Sequence, residues 1–136
     1  MRILGLDPGE KRIGVAITDP LGLTAQGIDV ITYDKIDEAV EKLKMICQKY
    51  EVETIVVGNP LNMNGTAGTA SEQAANFADI LRNELGLPVV MIDERLTSAG
   101  AERTLISGGV SRKNRKKFRD KIAAVLILET YLSSRS

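Results

Sequence analysis

The chain has 136 residues, 43% apolar and 26% charged, with 12 Gly and 4 Pro; this supports one folded domain over residues 1–136 and excludes disordered and collagen-like chains. It has no His and one Cys, Cys47, which excludes Ser-His-Asp and Cys-His nucleophiles, Cys/His zinc sites and any intramolecular disulfide. The 18 bases balance the 18 acids, so partners must be read from how charge is distributed rather than from its total.

Residues 2–6 form a short apolar run, Asp7-Pro-Gly-Glu is a turn signal, and residues 12–18 are rich in β-formers. Asp19-Pro-Leu-Gly turns again, and residues 23–31 make a third strand. Two tight turns between three strands predict an antiparallel meander. The period then changes. Ile36, Ala39, Val40, Leu43, Ile46, Cys47 and Tyr50 recur at helical spacing, with Asp34 as the expected N-cap. Cys47 lies on that apolar stripe, as a buried structural thiol would. Residues 54–58 are wholly apolar, as in a buried parallel strand, and residues 59–68 are a Gly/Asn/Pro loop. Thr69-Ala-Ser-Glu72 reads as a capping box. It opens a helix with Ala74, Phe77, Ala78 and Leu81 on one face, stopped by Gly86 and Pro88. Residues 89–92 are a fifth strand, Thr97 caps a short helix through Ile106, and residues 119–132 form a last helix, apolar nearly all round. The order predicts an α/β fold. Its five-stranded mixed sheet has three antiparallel strands, then two parallel ones, and helices on both faces.

Three acids fall where such a sheet places a site. Asp7 ends strand one before a Gly turn, Glu94 follows strand five, and Asp120 begins the last helix. If strands one and five flank strand four, the backbones of Asp7 and Glu94 lie roughly 10 Å apart, and their side chains can converge on ions between them. Two carboxylates at about 4 Å repel by roughly 4 kcal/mol at an effective dielectric near 20. Either one pKa rises or a divalent cation neutralises the set. All-oxygen ligands favour Mg²⁺ or Mn²⁺ over zinc, and two such ions roughly 3.5–4 Å apart supply phosphodiester hydrolysis without His. Each acid also has a structural reading. Asp7 can simply open a turn, Glu94 can be solvated beside Asp93, and Asp120 can favour the helix macrodipole.

The segment SRKNRKKFRDK (residues 111–121) holds seven of the 18 bases and one acid. Arg112, Lys113, Arg115, Lys116 and Lys117 are therefore candidates for phosphate contact, set against a solvated loop and helix start. Lys11, four residues past Asp7, and Arg95, beside Glu94, are further candidates; an exposed turn Lys and a surface pair with Asp93 are the alternatives. Thr97 fits a cap better than a ligand, Asn62, Asn64 and Gly65 form a loop rim, and Tyr50 and Phe77 fall on core faces. With 4% aromatics there is little base stacking to offer, so recognition should be of backbone and shape. The N-terminus reaches Asp7 too early for a signal peptide, and the longest apolar run is residues 122–128. With one Cys, the expectation is a cytoplasmic protein without a membrane partner.

DPGEKRIGVAITD (residues 7–19) resembles the Asp-x-Gly-x-Lys-x-x-Gly opening of the YqgF family of ribonuclease H-like proteins, described as Holliday junction resolvases or as nucleases maturing the 5′ end of precursor 16S rRNA. The likeness continues at VVGNPLNMNGTAG (56–68), DERLTSAGAE (93–102) and SRKNRKKFRDKIAAVLILETYL (111–132), in family order over nearly the whole chain. It implies a ribonuclease H-like fold and a metal-dependent endonuclease acting on structured RNA or branched DNA. Asp7, Glu94 and Asp120, the last ahead of Ala123-Ala124, would be its metal ligands. Asn59 departs from the family, which is expected to carry a more apolar residue between Gly58 and Pro60; Arg12 falls where the family varies and is given no catalytic part. Resolving a four-way junction favours a symmetric homodimer, whereas trimming an RNA end needs only a monomer. The competing classes are a nucleic-acid-binding factor without turnover and a sugar-kinase or actin-like ATPase. The ATPase folds share the Asp-x-Gly turn but need two such domains.

Overall fold

Strand residues alternate between the two sides of a sheet, and here both sides are apolar. The computed structural model describes residues 2–9, 11–60, 64, 66, 68–94 and 112–135, with 112–118 as helical backbone alone. β1 (Arg2–Pro8), β2 (Arg12–Thr18), β3 (Ala25–Thr32), β4 (Val52–Asn59) and β5 (Val89–Asp93) form one sheet in the order β3-β2-β1-β4-β5. β1–β2 and β2–β3 pair antiparallel, β1–β4 and β4–β5 parallel, which is the mixed sheet expected from the chain order.

On one side Leu4, Leu6, Val15, Ile55 and Val57 pack with Ala39, Leu43 and Cys47 of α1 (Ile36–Tyr50) and with Phe77 and Leu81 of α2 (Thr69–Leu85). On the other, Ile3, Ala16 and Val56 pack with Ala124, Ile127 and Leu128 of α3 (Arg112–Ser134). Cys47 is buried in the first cluster, and burial pushes its thiol up to about 11, which suits a packing role.

α3 lies unusually close to the sheet because glycines floor it. A Cβ at Gly14 would collide with the main-chain oxygen of Asp120, and one at Gly5 with the Leu128 side chain. Gly14→Ala is therefore expected to cost about 1–3 kcal/mol, the usual range for overpacking. A denaturant midpoint equal to that of the parent would show that α3 has room to retreat.

Several boundaries differ from expectation for local physical reasons. β1 continues to Pro8, so Asp7 lies inside the strand instead of ending it. β3 begins at Ala25 because the Asp19 carboxylate accepts the Leu23 and Thr24 N–H groups (2.6 and 3.1 Å) and holds them in the turn; the same bonds keep that carboxyl below its usual range. Lys35, not Asp34, is the N-cap of α1, and its N–H donates to Glu38 Oε1 at 3.3 Å. Gly68 is the N-cap of α2, so Thr69 is already helical and no capping box forms. Gly86 ends that helix at φ 68°, as predicted.

The largest difference is α3, which starts at Arg112 instead of near Arg119. Lys and Arg are good helix formers, so the basic run continues the helix backwards and is not a loop. Asp120 consequently sits well inside α3 and is no first-turn acid, and among the helix's described side chains only the stripe Ala123, Ala124, Ile127 and Leu128 is buried. The expected helix over 97–106 lies outside the described residues. Among the described residues no helix is long and apolar enough to cross a membrane.

Candidate active site

Asp7 belongs to the β1 series Ile3, Gly5, Asp7 that faces α3. Its partner across the antiparallel ladder is Gly14, the residue over which the Asp120 carbonyl lies. The absence of a side chain at Gly14 thus brings the main chain of Asp120 down beside Asp7. Glu94 stands one residue past β5 and is 7% exposed. Its N–H donates to the carbonyl of Asn59 at the end of β4 (3.0 Å), which fixes where the chain leaves the sheet.

β4 lies between the strands that carry the two acids. The side chain that would separate them is missing. A Cβ at Gly58 would lie 3.1 Å from Glu94 Oε2 and 2.6 Å from the Ile127 tip, so the Glu94 carboxyl lies over the place a side chain would fill. Asp7 and Glu94 meet carboxyl to carboxyl, the protonated Asp7 donating to Glu94. Burial, that hydrogen bond, the charge of Glu94 and then the charge of Asp120 push Asp7 up to about 10, against a smaller downward pull from Arg119. The cost of like charges anticipated from the sequence is met by a proton.

Asp120 acts on Asp7 through its charge and is itself paired: Arg12 Nε lies 3.0 Å from Asp120 Oδ2, as an ion pair without hydrogen-bond alignment. Among the described residues no three acidic side chains stand together as a closed ligand set. The donors nevertheless suit a hard divalent cation. All are carboxyl oxygens at one sheet edge, and the proton held by Asp7 occupies the role that a cation would take.

The other expected residues divide. Lys11 is exposed in the β1–β2 connection, where its carbonyl accepts the Tyr33 N–H at 3.0 Å. The Tyr33 hydroxyl donates to the Gly9 carbonyl at 2.8 Å and braces that turn. Arg112, Lys113, Arg115, Lys116 and Lys117 lie on the first turns of α3, with only their backbone described. Arg95, Thr97, Asn62 and Gly65 lie outside the described residues. Asn64 binds Thr66 through its side chain at 2.7 Å. Phe77 is buried in the core, and Tyr50 packs against it beneath the Arg2 guanidinium, 5.2 Å away.

Two contributors were not anticipated. Arg12 reaches the site through Asp120. Asn59, the departure from the family pattern, holds Glu94 by its carbonyl and accepts the Ser71 hydroxyl on its side chain at 2.6 Å, tying α2 to the same corner. A polar residue just after an apolar strand was the available signal for Asn59.

The family model described as "RuvX: Holliday junction resolvase" matches residues 1–134. Proteins of Clostridium acetobutylicum and Listeria innocua, both carrying the provisional name pre-16S rRNA nuclease, are 51% and 52% identical to the chain, covering 98% of it and 99% of each relative. Among solved structures, Thermus thermophilus RuvC in complex with a Holliday junction substrate superimposes with a TM-score of 0.63 at 15% identity, covering 99% of this chain and 96% of that one. Fowlpox virus resolvase in complex with Holliday junction DNA gives 0.59 at 15% identity, with 99% of both chains covered. These two show the fold, the ribonuclease H-like arrangement that the sequence implied.

Proposed function

The chain belongs to the RuvX Holliday junction resolvase family, and from that premise we propose that it is a divalent-metal-dependent endonuclease that hydrolyses phosphodiester bonds at the 5′ end of precursor 16S rRNA. Residues 1–136 act as one nuclease domain in this reading, in the cytoplasm. The observation that carries it is the Asp7–Glu94 carboxyl pair at the sheet edge, with Asp120 near enough to raise Asp7 further.

Asp7, Glu94 and Asp120 would hold Mg²⁺ or Mn²⁺, two ions in this reading. Bound there, such ions lower the pKa of a water molecule and offset charge at the phosphate. The protein's own part is to prepare the ligands. Asp7 surrenders its proton and becomes a full carboxylate. Glu94 keeps its place through the main-chain bond to Asn59, and Asp120 through the fit of α3 on Gly14. Positions 113, 116 and 117 precede Asp120 by seven, four and three residues, the spacing of one helix face, so α3 links phosphate binding to the acid it carries. With Lys11, Arg95, Arg112 and Arg115 they make the nucleic-acid contacts. Neutralising Lys116 and Lys117 is expected to lower the slope of log affinity against log salt by about 0.7–0.9 per lost phosphate contact. An unaltered slope would mark the run as a solvated surface.

Precursor rRNA is preferred because the relatives with that name match end to end at about half identity, whereas the junction-bound structures share only the fold. The family description supports a second reading, resolution of four-way DNA junctions, which needs two sites and hence a homodimer where RNA trimming needs only a monomer. Side-by-side cleavage of precursor 16S rRNA and a synthetic four-way junction, with Mg²⁺ and then Mn²⁺, tests both. Cutting of the RNA near its mature 5′ end is expected. Cutting of the junction alone would favour the second reading, and metal-independent binding without cutting of either would favour a non-catalytic factor.

A further inference from the structure

Arg12 opens β2 on the side that α3 covers, two residues before Gly14, so the strand that admits the helix also carries a cation to meet it. Its Nε stands 3.0 Å from Asp120 Oδ2, with side-chain exposures of 32% and 17%. The pair is partly buried, and the Oδ2 that Arg12 meets is itself shielded from solvent, so the contact helps to hold α3 on the sheet. Its place matters more. It engages one oxygen of an acid that belongs to the carboxyl cluster, and a guanidinium on a carboxylate both uses that oxygen and repels an approaching cation.

Resting on the cation-binding reading above, we propose that Arg12 is a positioning residue that stands in for a metal ion on Asp120, holding the α3 acid at the site in the metal-free protein and releasing it when a divalent ion binds. Arg12 therefore competes with the cation. Its removal should tighten metal binding, whereas loss of a merely structural contact would leave binding unchanged or weaken it.

The test is a titration of the full chain with Mn²⁺ at low ionic strength without nucleic acid, following free Mn²⁺ by its paramagnetic resonance signal. Arg12→Gln keeps donors but drops the charge, and it is expected to bind Mn²⁺ about tenfold more tightly than the parent, a gain that shrinks as salt screens the site. Arg12→Lys restores the charge and should return affinity to within about twofold of the parent. If Arg12→Gln does not fold, Arg12→Ala is expected to show the same tightening. Affinity unchanged or lowered in the neutral variants, or raised equally in Arg12→Lys, would overturn the proposal while leaving the cation site standing. A folded parent that takes up no Mn²⁺ would instead overturn the cation reading, and this proposal with it.

Discussion

Asp7→Asn is expected to abolish cleavage and, in the same protein, to stabilise the metal-free fold. The two effects share one cause. Asp7 sits among acids in a site screened from water, and its ionisation is opposed by burial, by Glu94 and by Asp120. At pH 7 a carboxyl pushed up to about 10 works against folding, since the unfolded chain ionises freely. Asn has nearly the same shape, can donate to Glu94 as the protonated acid does, and carries no charge to desolvate. The gain is bounded at about 4 kcal/mol at pH 7. It should show as a rise in the denaturant midpoint under chelating conditions. Turnover should fall by more than about 10³-fold, because losing even a supporting partner of a metal ligand costs about 10–100-fold. Nucleic-acid affinity should change little. A variant with normal turnover, or one destabilised with turnover lost, would contradict this account of Asp7.

Metal-free protein is expected to lose stability as pH rises from about 4 towards about 10. The folded-state pKa of Asp7 lies above its unfolded value of 3.8. Below that value both states are protonated and stability is complete. Above it the unfolded chain releases a proton that the folded site retains, so stability declines until the folded pKa is passed. The contribution of this one group is at most about 1.4 kcal/mol per pH unit. Melting temperatures of parent and Asp7→Asn, measured across this range with chelator, should lie closest near pH 4 and separate progressively as pH rises, the variant having the flatter profile. Added Mn²⁺ should stabilise the parent more at pH 8 than at pH 5, because the cation displaces the proton. Identical pH profiles for parent and variant would show that Asp7 is not the group responsible.

The fold was legible because its signals were local and redundant. Leu4, Leu6, Val15, Ile55 and Val57 alternate with Ile3, Ala16 and Val56, and two apolar sides require helices on both. Gly86 stops α2 where a left-handed residue is needed. The acids were legible from strand ends and chain order, although Asp7 proved internal to β1 and Asp120 internal to α3. Cooperation across elements was not legible. Nothing near Gly58 in the chain says that Glu94 will lie over it, and nothing near Gly14 says that the Asp120 carbonyl will. Each depends on contacts between residues more than thirty positions apart. The start of α3 was placed too late, near Arg119, because the basic run carries no apolar stripe, whereas its backbone propensity favoured continued helix. Arg12 was passed over for a similar reason, since its partner lies on the far end of the chain.

Anomalous diffraction from crystals soaked in Mn²⁺ tests the central claim most directly. The account predicts Mn²⁺ density in contact with the carboxyl oxygens of Asp7, Glu94 and Asp120, lost in Asp7→Asn. Density on other groups, or none at millimolar Mn²⁺ while the protein still cuts nucleic acid in a metal-dependent way, would contradict it.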